Sequence, residues 1–310
     1  MIDLREVELS FPGEALRANP HAAAARRRTR EWVRRLGLLN DAQIAEFDSW
    51  RMDTACRAGF PDADEDLLQV ALDLCWWTFV VDLHIEQGVQ DAAGIERLAD
   101  ELASALRDGS NPPGPHPITA GAMDIVQRAS RRQTSQWCDS FRHFMLVYLT
   151  SRAQDARAQA TTVDAYLQRR RQSIGLQMTL DLAQSPTPPS PLLFSAPMLH
   201  SRQLLTEHLL LQNDIFSLHR ETRSSAGRSI IFCLQRERRC PIEEALTAAI
   251  AMADARMSQF TRYQNRIADW IDSHEGSAAD RDSCRDALAR MLTWTRAVYD
   301  WHRQAVRYAP

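Results

Sequence analysis

The chain has 310 residues, 45% hydrophobic and 25% charged, with a formal net charge of -3, so it can bury a large core and carries no basic field of the kind that binds nucleic acid. All 37 basic residues are arginine, which excludes Schiff-base chemistry through a lysine. Eleven glycines are few for this length, and the abundance of Ala, Leu and Arg favours long helices; the fold class expected is all-α, as one helical domain over residues 1–310.

The six cysteines, Cys56, Cys75, Cys138, Cys233, Cys240 and Cys284, show no C-x-x-C spacing. They mostly fall on apolar helical faces, which predicts buried free thiols and a reducing cytoplasm. The start, MIDLREVELSFPGEA, lacks a basic stretch followed by an apolar run, and no segment reaches ~18 uncharged apolar residues. Neither export nor a membrane span is expected.

Residues 1–20 read as extended and Pro-punctuated, with Asn19-Pro20 as a helix entry. Helices are predicted over His21–Arg35 and, capped by Asp41, toward Arg57. Asp62 or Asp64 then opens a longer helix whose Leu68, Val70, Ala71, Leu74, Trp77, Phe79 and Val81 are too dense for a surface position. This central helix ends in Asp82 and Glu86, before Gly88. A helix over Ala92–Arg107 gives way to the breaker run 108–117. A long pattern follows from Ala120 to Gln159, and Thr162 caps a helix interrupted at Gly175, where a glycine costs ~1 kcal/mol against alanine and needs a reason. Residues 184–197 are too rich in Pro and Ser to be helical. The last three helices are expected over His200–Glu221, Pro241–Ser273 and Arg281–Gln304.

The stretch NDIFSLHRE puts Asn213, Ser217 and Glu221 at i, i+4 and i+8 of what reads as one continuous helix. At ~100° per residue they share one stripe, and such oxygen-bearing residues are poor occupants of a helix interior unless something binds them. Asp82 and Glu86 form a second acidic pair at i and i+4. Two oxygen-rich patches suggest Mg²⁺, which takes a few carboxylates and completes its shell with water and phosphate. Arginines stand where a phosphate needs them, at Arg169, Arg170 and Arg171, at Arg220, and at Arg307-Tyr308 near the end of the chain.

These residues resemble the bacterial class I terpene synthases. The family's metal-binding signature (N/D)-D-x-x-(S/T)-x-x-(K/R)-(E/D) is met by Asn213, Asp214, Ser217, Arg220 and Glu221. FPGEALRANPH is similar to the family's N-terminal segment, Arg171 with Gly175 to its diphosphate-sensing arginine and helix-break glycine, and Trp301 ahead of Arg307-Tyr308 to its terminal motif. The aspartate-rich motif, usually D-D-x-x-D/E, departs from the pattern: it reads Asp82-Leu83-His84-Ile85-Glu86.

The resemblance implies a helical bundle around an apolar cavity. It further implies a cyclase in which three Mg²⁺ ions and arginines ionise a linear prenyl diphosphate and the cation closes to a terpene hydrocarbon or alcohol. Farnesyl diphosphate is the expected substrate, with C20 and C10 diphosphates as alternatives, and similar proteins are commonly homodimers. Metal ligation is expected from Asp82, Glu86, Asn213, Ser217 and Glu221, and diphosphate binding from Arg171, Arg220, Arg307 and Tyr308. Phe79, Phe216 and Trp301 are expected as cavity wall, facing a cation through their rings, and Gly175 is expected to present a backbone carbonyl. The loop after Glu221 is expected to close over bound diphosphate. Two alternatives to a cyclase are a catalytically silent helical binding or scaffold protein that has kept the fold, suggested by Leu83 in the acidic motif, and a prenyl-elongating synthase, which resembles proteins with two aspartate-rich motifs and several lysines.

Overall fold

Side-chain caps set about half of the helix starts in the computed structural model, which describes residues 3–12, 16–157, 162–185, 188, 190–223, 228–273 and 277–308. Helix α1 spans Ala22–Arg35 and α2 Asp41–Ser49. Asn40, not Asp41, caps α2, in a reciprocal pair with Gln43. The segment expected to run on to Arg57 breaks at Trp50–Arg51, where Arg51 takes φ +55, and resumes as α3, Met52–Gly59. Asp64 caps α4, Glu65–Glu86, and Asp91 caps α5, Ala92–Asp108.

The pattern read as one helix from Ala120 to Gln159 is two, α6 (Pro117–Ala129) and α7 (Ser135–Arg157), separated by a 3₁₀ turn at Ser130–Arg132. The hydroxyl of Thr134 accepts from the Trp137 amide at 3.2 Å, restarting the helix where a polar run interrupts the apolar period. Thr162 caps α8, Val163–Ser173, and Gly175 at φ +76 opens α9, Leu176–Gln184. Helix α10 begins at Ala196, earlier than expected because Pro197 is tolerated in a first turn. It ends at Phe216, and α11 covers Leu218–Arg223. Helix α12, Ile230–Arg238, has no counterpart among the expected elements; it is followed by α13, Ile242–Ser273, and α14, Ala278–Gln304, and a last 3₁₀ turn covers Val306–Tyr308. No strand occurs among the described residues.

Two helices are buried nearly all round. Helix α4 has Leu68, Leu74, Trp77, Val80 and Val81 at zero exposure and packs on α1, α3, α6 and α9. By length and composition it would also serve to cross a membrane, but two thirds of the relevant window is buried inside the bundle, as for a core helix. Helix α10 packs on α13 and α14, with Leu205 and Leu210 at zero exposure. At ~1.5–3 kcal/mol for each large side chain removed from water, these two stripes supply much of the driving force.

The same helices carry buried charge that is paired rather than solvated. Asp73 on α4 accepts from Thr29 at 2.6 Å, Gln69 at 2.7 Å and Arg128 at 2.7 Å, which ties α1, α4 and α6 together. Arg202 on α10 pairs with Asp181 on α9 and lies over the Phe144 ring. Breaking one partner of such a pair leaves an uncompensated buried charge, so they fix the helix arrangement. Helices α4, α10 and α14 all run toward the same end of the bundle, where Asp82 and Glu86, Asn213, and the terminal turn meet at one cavity.

Candidate active site

The cavity holds about 640 Å³, within the usual range for a small-molecule site. Of the residues expected to form a site, Asp82, Glu86, Asn213, Arg220, Glu221, Arg307, Tyr308, Gly175, Phe79 and Trp301 line it. Ser217, Arg171 and Phe216 do not.

Asp82 sits on the last turns of α4. Its Oδ1 lies 3.0 Å from the Arg152 guanidinium and 3.2 Å from the Tyr148 hydroxyl, which is also 3.0 Å from the Thr78 carbonyl. Burial, then the neighbouring Asp82, pushes the Tyr148 phenol well above its ordinary pKa, so it remains a neutral donor. One turn on, Glu86 accepts from Arg220 at 2.7 Å. Leu83, between them, is a core residue and faces a side recess with Glu46, Trp50 and Val306 instead of the main cavity.

Across the mouth, Asn213 stands in the last turn of α10. Its Oδ1 accepts from Arg170 at 2.9 Å, and its Nδ2 donates to the Tyr308 hydroxyl at 3.2 Å. The helical stripe expected over 213–221 is not continuous: a single residue, Ser217, separates α10 from α11. Helical bonds from the Ser217 amide to Asn213 and from the Glu221 amide to Ser217, both 2.9 Å, nevertheless carry the direction through, so Asn213 and Glu221 keep one face. Ser217 is buried and its hydroxyl donates to the Asp214 carbonyl at 3.4 Å. Asp214, inside the motif, turns away from the cavity. It accepts from the Tyr166 hydroxyl at 2.5 Å and the Ile230 amide at 2.8 Å, anchoring the start of α12. Burial raises its pKa against the lowering effect of Arg170.

The arginine run resolves differently from expectation. Successive helical residues point ~100° apart; Arg170 and, beside it, Arg169 line the cavity, whereas Arg171 pairs with Glu207 at 2.7 Å. Burial alone would depress the Arg170 guanidinium, but Tyr166, Asp214, Asp155 and Asp82 together hold it above its ordinary value. It stays charged. Phe216 is likewise turned aside, stacked on His302 at 5.3 Å with planes 5° apart.

The terminal turn is docked. Arg307 lies over Trp50 at 4.1 Å and Phe79 at 4.7 Å; burial and then Arg220 lower its pKa, and the two ring faces offset that cost. Tyr308 sits edge-on to Trp301 and His302, at 5.3 and 4.9 Å. The Trp301 indole donates to the Trp50 carbonyl at 2.7 Å. Deeper in, Tyr148, Trp294, Leu209, Val298 and Thr179 continue the wall, so charge is concentrated at the mouth and apolar surface below. Among the described residues no three Asp, Glu, His or Cys side chains converge; the oxygen donors divide between α4 on one side and α10–α11 on the other. Hard oxygen donors in an incomplete set suit Mg²⁺.

Arg152, Tyr148, Tyr166, Trp294 and His302 are lining residues not foreseen from sequence, and Arg170 was named there only as one of three arginines placed for a phosphate. Tyr166 and Arg170 at i, i+4 on α8 offered a signal; Arg152 and Trp294 offered none. Of the loop following Glu221, residues 224–227 lie outside those described.

Residues 73–259 match the family model described as terpene synthase family 2, C-terminal metal binding. A pentalenene synthase of Streptomyces avermitilis is 30% identical, over 98% of this chain and 93% of its own. A 7-epi-alpha-eudesmol synthase of Streptomyces viridochromogenes, named as (2E,6E)-farnesyl diphosphate cyclizing, is 25% identical over 98% and 92%. In fold, the crystal structure of germacradien-4-ol synthase from Streptomyces citricolor superposes with a TM-score of 0.86 at 18% identity, covering 97% of this chain and 99% of that one. The chain therefore belongs to terpene synthase family 2 and is a bacterial class I terpene synthase, a metal-binding cyclase and diphosphate-releasing lyase.

Proposed function

We propose that this enzyme cyclises farnesyl diphosphate in a Mg²⁺-dependent reaction, with the diphosphate at the cavity mouth and the hydrocarbon chain in the apolar part below. The observation that carries this reading is the opposition of Asp82 and Glu86 to Asn213 and Glu221 across the mouth of one cavity. These four, with Ser217 joining them on the strength of the motif, are the proposed ligands of three Mg²⁺ ions. Once bound, the ions act as Lewis acids on the diphosphate oxygens.

The chain's own residues do the rest. Arg170 and Arg220 already hydrogen-bond the oxygen donors and Arg152 is ion-paired with Asp82, so a diphosphate lying between those donors falls within reach of the same guanidinium forks. Arg307 and Tyr308 close the mouth from the C-terminal side, and the Tyr308 hydroxyl steadies Asn213. Charge developing on the departing diphosphate is met by preorganised donors in a site poor in water. Phe79, Tyr148, Trp294 and Trp301 turn π faces and apolar edges toward the hydrocarbon. Gly175, left-handed at the break between α8 and α9, interrupts the helix at the cavity wall. The six free thiols fit a cytoplasmic enzyme.

Incubation with Mg²⁺ and each of the C10, C15 and C20 prenyl diphosphates, followed by diphosphate release and analysis of volatile products, tests the proposal. The C15 substrate is expected to give the highest kcat/KM and a cyclic product. Higher turnover of C10 or C20, or a longer diphosphate as product, would refute it.

A further inference from the structure

Trp294 forms the deep end of the cavity. It precedes Trp301 on α14 by seven residues, about 10 Å farther from the mouth at ~1.5 Å per residue, and Cys75 lies as far behind Asp82 on α4. The indole is held from three sides. Its Nε1 donates to Thr179 Oγ1 at 3.2 Å, and that hydroxyl donates to the Leu176 carbonyl at 2.9 Å. The Phe60 ring lies 5.1 Å away. On the third side, at the end of α3, stands Gly59.

That last contact leaves no space for a side chain. A Cβ at Gly59 would fall 2.4 Å from Cε3 and 3.2 Å from Cζ3 of Trp294, and 3.3 Å from Cβ of Ala297. Gly59 is not among the residues with positive φ, so backbone freedom does not account for it, and a glycine in a helix carries a cost of up to ~1 kcal/mol. What the position requires is the missing methyl group. A rigid indole cannot fold out of the way of a Cβ; it must move as a unit, and the open side is the cavity.

We propose that Gly59 is a specificity-determining position, which seats Trp294 back against α3 and so sets how long a hydrocarbon chain the cavity admits. This rests on the reading that the cavity takes a prenyl diphosphate. Gly59 touches no substrate and acts through Trp294, as a positioning residue. A purely structural role, close approach of α3 to α14, would instead make Gly59→Ala less stable without altering chain-length preference.

The test compares wild type, Gly59→Ala, Trp294→Phe and the double variant. Calorimetry with Mg²⁺ reads the affinities of the unreactive C10 and C15 thiolodiphosphates, in which sulfur replaces the bridging oxygen, and kcat/KM is measured for the two substrates. Gly59→Ala should move the C10:C15 ratio toward C10 by about tenfold or more, the value of a methylene or so of lost pocket. Trp294→Phe should move it toward C15, and because Gly59 acts through the indole, adding Gly59→Ala to Trp294→Phe should leave the ratio near that of Trp294→Phe. A Gly59→Ala protein that melts lower with its ratio unchanged overturns the proposal. Should Gly59→Ala fail to fold, a Trp294→Phe protein whose ratio equals that of wild type overturns it equally. A wild-type enzyme that binds neither analogue removes the prenyl-diphosphate reading itself, and this inference with it; binding of both with an unmoved ratio removes the inference alone.

Discussion

Arg170 and Arg171 are neighbours with opposite surroundings. Arg170 donates to Asn213 at the cavity mouth; Arg171 pairs with Glu207, which Arg256 also holds. Replacing Arg170 with Met is expected to lower kcat by about 10²–10³-fold, the usual loss for one preorganised donor to developing negative charge. Arg171→Met should leave kcat within a few-fold and cost about 1–2 kcal/mol in chemical denaturation, because Glu207 retains its other arginine. The opposite ranking in steady-state kinetics would return the diphosphate role to Arg171. His302 makes a separate prediction. Buried among aromatic rings and near Arg307, its pKa falls to about 3 from 6.5. Below pH 6.5 the unfolded chain binds a proton that the native imidazole refuses, so stability is lost as pH falls from 6.5 toward 3, by ~1.4 kcal/mol per unit for this one group. In urea titrations across that window, His302→Phe should flatten the decline; an unchanged slope would mean that His302 is protonated in the fold. At this scale the acids and Asn213 were legible because each sits in a spaced motif. Which of three consecutive arginines turns away from the cavity was not, since it depends on α10 and Glu207, far away in the chain.

Among the elements, the helix starts capped by Asp64, Asp91 and Thr162 could be read from the chain because the cap is a local hydrogen bond. The breaks at Trp50–Arg51 and at 130–134 were hidden by apolar periods that continue on either side of them. Helix α12 was missed because nine residues behind a polar loop give little periodicity; its place is fixed by burial of Ile230, Ile231 and Leu234 and by the bond from Ile230 to Asp214. The break at Gly175 was visible, and the structure supplies its reason. At φ +76 a Cβ pays the left-handed penalty and would also lie 3.3 Å from the Tyr148 ring. Gly175→Ala is expected to destabilise by about 1–2 kcal/mol and, through Tyr148, to disturb Asp82. Thermal unfolding with a stability equal to wild type would show that the break accommodates a side chain.

For the molecule as a whole, function depends on three helices, α4, α10 and α14, ending at one cavity with their polar residues outermost. The presence of two facing oxygen-rich patches followed from the motifs, but the depth of the space between them did not. Its far wall is built from Trp294, Thr179 and Cys75, which share no motif and are brought together only by packing. The most direct test of that arrangement is a Mg²⁺ titration of diphosphate release from farnesyl diphosphate, run on the wild type beside Asn213→Ala and Glu221→Gln with helical content checked for each. Wild-type release should rise with Mg²⁺ and stop on chelation, while both variants stay helical and lose at least about 10²-fold in rate. Release independent of the metal, or helical variants as fast as the wild type, would contradict a metal site held between α4 and α10.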